Sequence, residues 1–190
     1  MKALPIRATA LVAVLASAGC WRSGEAATRA PAPAPPVVAP AQLAPPPSPD
    51  PITQAKSDAL AAYLAMYDDM AAAAETSDYE SPRLREHATG QAFVLIRVVL
   101  YRNHINGLVS HGKDEISYPQ FTSATPPEAP TSVGITACVN GEHDLLYRAD
   151  TNQLLNDRPG DRRLHEATVD RQATGGWLVS KLIVRDPASC

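Results

Sequence analysis

Ten of the chain's eighteen prolines fall between Pro31 and Pro51, and this cluster fixes where a fold can begin. Proline lacks an amide donor and has a locked φ. Neither a helix interior nor a central strand can therefore run through Pro31-Ala-Pro-Ala-Pro-Pro or Pro45-Pro-Pro-Ser-Pro. Such a tract reads as an extended spacer, at ~3.1 Å per residue reaching on the order of 60 Å. Pro-Ala tracts also bind proline-recognition domains, but a spacer is the simpler reading. Of the 190 residues, those from about Asp50 onward are left to form a core. A chain of that length removes roughly two-thirds of its unfolded surface from water, so it needs no metal to hold it together.

What precedes the spacer explains why one is present. Lys2 and Arg7 lead into an apolar run that ends Leu15-Ala16-Ser17-Ala18-Gly19-Cys20. The run is far shorter than the ~20 residues of a membrane-spanning helix. A basic start, a short apolar stretch and small residues before a cysteine indicate an export signal of the lipoprotein type. Residues 1–19 are then cleaved, Cys20 carries the lipid, and residues 20–50 form the linker to a domain at 51–190. Ser17 stands where a leucine is usual, so plain secretion with Cys20 unlipidated is the competing reading. Trp21 and Arg22 suit the headgroup level of a bilayer. The expected location is the extracytoplasmic face of the cell membrane.

Three cysteines in an exported chain leave one over, and lipidation of Cys20 accounts for it. Cys138 and Cys190 are then expected to pair as a disulfide; the alternative is two unrelated thiols. The formal charge of −3 falls to near −5 once Lys2 and Arg7 are removed, leaving 15 basic against 20 acidic residues. No basic stripe is present, which disfavours nucleic acid as a partner. Nor does a polybasic segment offer a second hold on anionic lipid.

Within the domain, Asp50 can cap a helix that Pro51 opens. Leu60, Tyr63, Leu64, Tyr67, Met70, Ala71 and Ala74 then recur at steps of three and four, predicting a helix over 52–75. Ser81-Pro82 starts a short helix through Leu84 to His87. After Gly90, residues 91–103 form a third helix, apolar nearly all round and expected to be buried on most sides. From Leu108 the period becomes two. Strands are expected at 108–109, around Ile116, Tyr118 and Phe121, and over 132–138. Asn140-Gly141 predicts a hairpin into His143, Leu145 and Tyr147. After a loop at 157–160, residues 162–171 pair with 177–185 across Gly175-Gly176. Helices first and strands after predict an α+β domain: three N-terminal helices packed on a curved antiparallel sheet.

That order resembles the NTF2-like (SnoaL-like) cone fold. The likeness is carried by the stretch Ala72 to Ala92, which contains Asp78-Tyr79-Glu80-Ser81-Pro82-Arg83-Leu84-Arg85-Glu86-His87-Ala88-Thr89-Gly90, and by the closing Gly175-Gly176-Trp177-Leu178-Val179. With Tyr147-Arg148-Ala149-Asp150-Thr151 and a cysteine near the C-terminus, the chain is similar to small lipoproteins and secreted proteins of high-GC Gram-positive bacteria. The resemblance spans about residues 54–190 and says little of activity, because this fold hosts enzymes and non-enzymes alike. In its isomerases and cyclases it implies an Asp general base inside an apolar cone.

The residues themselves point to no complete catalytic set. Asp68 and Asp69 diverge by about 100° on a helix and read as a solvated face. Asp78 and Asp144 read as a cap or turn residue and a hairpin flank. The five histidines show no HExxH or paired helix spacing, so no metal is expected. Neither a phosphate loop nor a G-x-S-x-G elbow occurs, and no cofactor is implied. His143 alternates in phase with Leu145 and Tyr147 and could act as a base. Tyr67, Tyr101, Tyr118, His143, Tyr147 and Trp177 are the candidate lining of an apolar pocket, the alternative being that they are core. The expected function is a lipid-anchored, non-catalytic domain that binds a small apolar ligand or another envelope protein. The runner-up is a cone-fold enzyme with an Asp or His base.

Overall fold

The structure is a computed structural model that describes residues 50–155 and 160–190. The signal, Cys20, the spacer and most of the 157–160 loop lie outside the described residues.

The first helix, α1 (Pro51–Ala74), begins where its cap predicts: the Asp50 carboxylate accepts from the Thr53 amide at 3.0 Å and Pro51 takes the opening position. Its buried face is shifted from the expected stripe. Ala55, Ala59, Ala62, Tyr63, Met66, Tyr67 and Ala73 are inside, whereas Leu64 is 39% exposed. Alanines on the inner face let the helix lie close against the sheet, and that closeness is not visible in hydrophobicity alone. Next come α2 (Leu84–His87) and α3 (Gly90–Ile105).

Six strands follow: β1 (Leu108–His111), β2 (Glu115–Thr125), β3 (Ser132–Asn140), β4 (Leu145–Arg148), β5 (Arg162–Arg171) and β6 (Trp177–Val184). They form a four-stranded antiparallel sheet in the order β2-β3-β5-β6 and a separate ribbon of β1 with β4. Register shifts in β2 and at Thr168/Val169 mark bulges, which bend and twist a sheet. Val133, Ile135, Val139, Val169, Val179 and Leu182 pack the sheet against Tyr63, Met66, Leu84, Ile96 and Leu100 of the helices. The architecture is α+β, helices first and antiparallel strands after. Among the described residues no helix is long and apolar enough to cross a membrane.

Two expectations are corrected. The turn at Asn140-Gly141 exists, but it does not join paired strands. β3 pairs with β5 over nine residues, and β4 pairs with β1 instead. The Gly141 carbonyl accepts from the amides of both Asp144 and Gly160, at 3.1 and 3.2 Å, which diverts the chain. α3 is not buried on most sides. Ala92, Ile96 and Leu100 face inward, while Val94 is 57%, Val98 50% and Ile105 60% exposed.

Cys138 and Cys190 form a disulfide with Cα atoms 5.8 Å apart. It ties the last residue of the chain to β3.

Candidate functional site

Tyr63 and Tyr67 are four residues apart on α1 and so share its inner face. Their rings meet edge-on at 5.2 Å, and the Tyr63 hydroxyl donates to that of Tyr67 at 3.5 Å. Tyr67 in turn hydrogen-bonds Nδ1 of His165 on β5. His165 alternates in phase with the buried Ala167 and Val169, which is why an imidazole faces the core here. Burial, and then the neighbouring Arg163, push its pKa down to about 4. Burial raises both phenols, Tyr63 to about 12 and Tyr67 well above the ordinary tyrosine value. Near neutral pH the tyrosines therefore keep their protons and the imidazole is uncharged. With Tyr63 donating to Tyr67, we assign the Tyr67 hydroxyl as the donor to Nδ1, which puts the ring proton on Nε2.

The β1–β2 turn and the segment entering β4 supply the second half of the site. Gly112 has φ +102°, and a Cβ there would lie 1.9 Å from the carbonyl oxygen of His143. Only glycine permits this approach. It places Asp114 and Asp144, which flank the crossing, near each other. Buried Ser110 donates to the Asp144 carboxylate. Burial raises the Asp144 pKa, and the Ser110 bond moderates the rise. Asp114 is raised to about 6, by burial first and then by the charge of Asp144. Among the described residues its carboxyl has no hydrogen-bond partner; the adjacent Lys113 reaches Asp68 instead, at 3.2 Å.

These groups open onto one cleft of about 440 Å³. Asp114, Asp144, Arg163, His165 and Asn103 give it a polar floor and rim, and Val99, Val139, Leu146 and Val184 give it apolar walls. A narrow extension of about 60 Å³ continues between Tyr67, Ser110, Asp114 and Asp144. The cleft can accept hydrogen bonds at the carboxyls of Asp114, Asp144 and Asp161 and donate them from the side chains of Asn103, Arg163 and His165. A second groove, of about 400 Å³, lies on the exposed face of α3 along Tyr79, Phe93, Val94, Val98 and Tyr101. Its charged groups, Arg97 and Glu80, pair with each other at 3.7 Å.

The six residues expected to line a pocket are not brought together. Tyr67 alone joins the site. Tyr101 sits on the outer face of α3 against Tyr79, with ring centres 5.2 Å apart. Tyr118 has φ +52° at the β2 bulge, which breaks the period-two alternation and leaves it 77% exposed. His143 is exposed at the turn. Tyr147 tilts against His111 on the outlying ribbon. Trp177 is buried, beside the start of α1.

The Asp68–Asp69 pair is also corrected. Asp68 is exposed, but Asp69 is 4% exposed, accepting from His87 Nδ1 at 2.7 Å and Arg83 Nε at 3.4 Å. Asp69, Glu86 and His87 place one potential ligand atom each within 4.8 Å of one another. The Arg83 guanidinium already supplies the positive charge there.

No family model matches the chain, and no curated protein matches it. Among solved structures it is similar to the intermembrane-space region of the chloroplast protein ARC6, with 15% identity and a TM-score of 0.43, covering 73% of this chain and 98% of that one. It is also similar to ActVI-ORFA from Streptomyces coelicolor, with 15% identity and a TM-score of 0.44, covering 66% and 95%. A third likeness is to a ketosteroid isomerase-like protein from Erwinia carotovora atroseptica, with 14% identity and a TM-score of 0.40, covering 69% and 96%.

Proposed function

We propose that the domain is the small-molecule-binding part of an exported protein held at the extracytoplasmic face of the membrane through a lipid on Cys20. The observation that carries the binding reading is the 440 Å³ cleft, in which Asp114, Asp144 and His165 converge among apolar walls. A concave recess that combines apolar walls with convergent polar groups has the make-up of a ligand site. The signal-like run before Cys20 supports export, as does a disulfide that needs an oxidising compartment. The order of three helices and an antiparallel sheet agrees with an NTF2-like cone, whose mouth this cleft would be.

Native mass spectrometry of the full-length chain from its own membranes tests the binding reading. A small molecule should be retained, and filling the cleft with Val139→Trp or Leu146→Trp should abolish its retention. A chain that carries nothing, and is unaffected by ligand screens that respond to cleft filling, would overturn the reading.

A second reading, acid–base chemistry on the bound molecule, is favoured by one specific feature. The Asp114 carboxyl, raised to about 6, is poised for proton transfer near neutral pH. The Nε2–H of His165 could then stabilise negative charge on a substrate oxygen. Deuterium uptake α to the carbonyl of a cyclic ketone in heavy water, lost in Asp114→Asn, would support it. Uptake no faster than in buffer would remove it.

A further inference from the structure

The binding reading leaves the ligand's chemistry open, and the cleft narrows it. We propose that the ligand is an organic cation, a protonated amine with an apolar body, whose ammonium group sits between the carboxyls of Asp114 and Asp144. The inference rests on the cleft being a ligand site and adds the charge of what fills it.

Three observations carry it. Asp114 and Asp144 line both the main cleft and its narrow extension, so they share one recess. Their neighbours offset them only in part: Arg163 lines the main cleft beside a third carboxylate, Asp161, while Lys113 is engaged with Asp68 and Ser110 is an uncharged donor to Asp144. Asp114 has no hydrogen-bond partner among the described residues. Asp114 is held above its ordinary value by burial first and by the charge of Asp144 second, so the two carboxyls sharing this recess carry a residual repulsion. A proton relieves it in the empty cleft; an ammonium, with three donors to distribute over two carboxyls, relieves it with better geometry.

The second pole is independent of the first. His165 is only 8% exposed and lines the cleft, with Nδ1 committed to Tyr67 and no partner for Nε2 among the described residues. With Tyr67 assigned as the donor to Nδ1, Nε2 carries the ring proton, and the cleft presents a neutral donor there in addition to the Asn103 and Arg163 side chains. The amine's body therefore packs on Val99, Val139, Leu146 and Val184, and a hydroxyl or carbonyl on it can accept from Nε2–H.

Benzylammonium, benzyl alcohol and benzoate share one shape and differ in charge. Their binding to the full-length chain in non-ionic detergent, measured by calorimetry at pH 7.5 in low salt, tests the proposal. Benzylammonium should bind about tenfold or more tightly than benzyl alcohol, with benzoate weakest. Asp114→Asn and Asp144→Asn, checked by thermal unfolding, should each reduce the preference for benzylammonium over benzyl alcohol to near one. Equal binding of all three probes, or a preference for benzoate, overturns the cation while leaving the cleft as a ligand site. Binding by none of the three overturns both.

Discussion

At the scale of single residues, the site contains two groups whose pKa values are moved in ways that oppose each other in stability. Asp114 holds its proton more tightly folded than unfolded, with a pKa of about 6 against an ordinary 3.8. Between those values the folded chain binds more protons than the unfolded one, so stability falls as pH rises and the full penalty is present above pH 6. His165 behaves the other way: its folded value of about 4 lies below 6.5. Its contribution is complete above pH 6.5 and is lost as pH falls toward 4. The two slopes offset each other over nearly the same window. Asp114→Asn should therefore stabilise the chain above pH 7 by about 1–2 kcal/mol, a two-unit shift discounted for partial exposure. It should also uncover the His165 slope, making the variant's stability drop more steeply than wild type from pH 6.5 to 4. Denaturant melts at pH 8, 6 and 4.5 check both effects, and an Asp114→Asn variant less stable than wild type at pH 8 would contradict the first.

At the scale of elements, local signals were legible and pairings were not. The α1 start was readable from Asp50 and Pro51, and the break at Gly90 from glycine itself, because caps and breaks are decided within one turn of chain. Asn140-Gly141 gave the turn correctly, yet it carried no information on which strand competes for β3. β5 offers nine paired positions against the four residues of β4. α3 reads as apolar on every side, but only one face meets β6, and the sequence does not reveal how many neighbours a helix will have. The site followed the same rule. Tyr67 stood out as an aromatic in a helical stripe, whereas Asp114 and Asp144 became a pair only through a glycine crossing between distant turns. One element contact missed in the sequence is Gln91. Its side chain bonds both backbone groups of Leu182, accepting from the amide at 2.7 Å and donating to the carbonyl at 3.0 Å. This pins the start of α3 to the outer edge of β6, where Thr89 also donates to Val179 at 2.9 Å. Gln91→Ala should cost about 1–2 kcal/mol and speed hydrogen exchange at the Leu182 amide. Exchange at Val169, in the middle of the sheet, should rise only by the global loss of stability. Unchanged exchange at Leu182 would show that the pinning contributes nothing.

For the whole molecule, the cysteines connect the fold to its proposed place in the cell. The Cys138–Cys190 disulfide closes a separation of 52 residues and holds the C-terminus on β3. Chain-entropy arguments assign such a loop about 4 kcal/mol, a ceiling because reduced chains retain some order. Cys190 is exposed, so Cys190→Ser removes the bond without opening a core cavity, although it leaves Cys138 as a thiol in β3. The variant should lose about 2–4 kcal/mol of stability, and reductant should lower the wild type toward it without affecting the variant. Cys20→Ala tests the other end of the chain, where lipidation is the proposed attachment. It should move the protein from the membrane fraction to the soluble one while the melting temperature and the disulfide stay unchanged. The two substitutions separate address from fold: one should change stability without changing location, the other location without stability. A Cys20→Ala chain that unfolds, or shuffles its disulfide, would mean that Cys20 takes part in the fold and that Cys138 and Cys190 are not an independent pair.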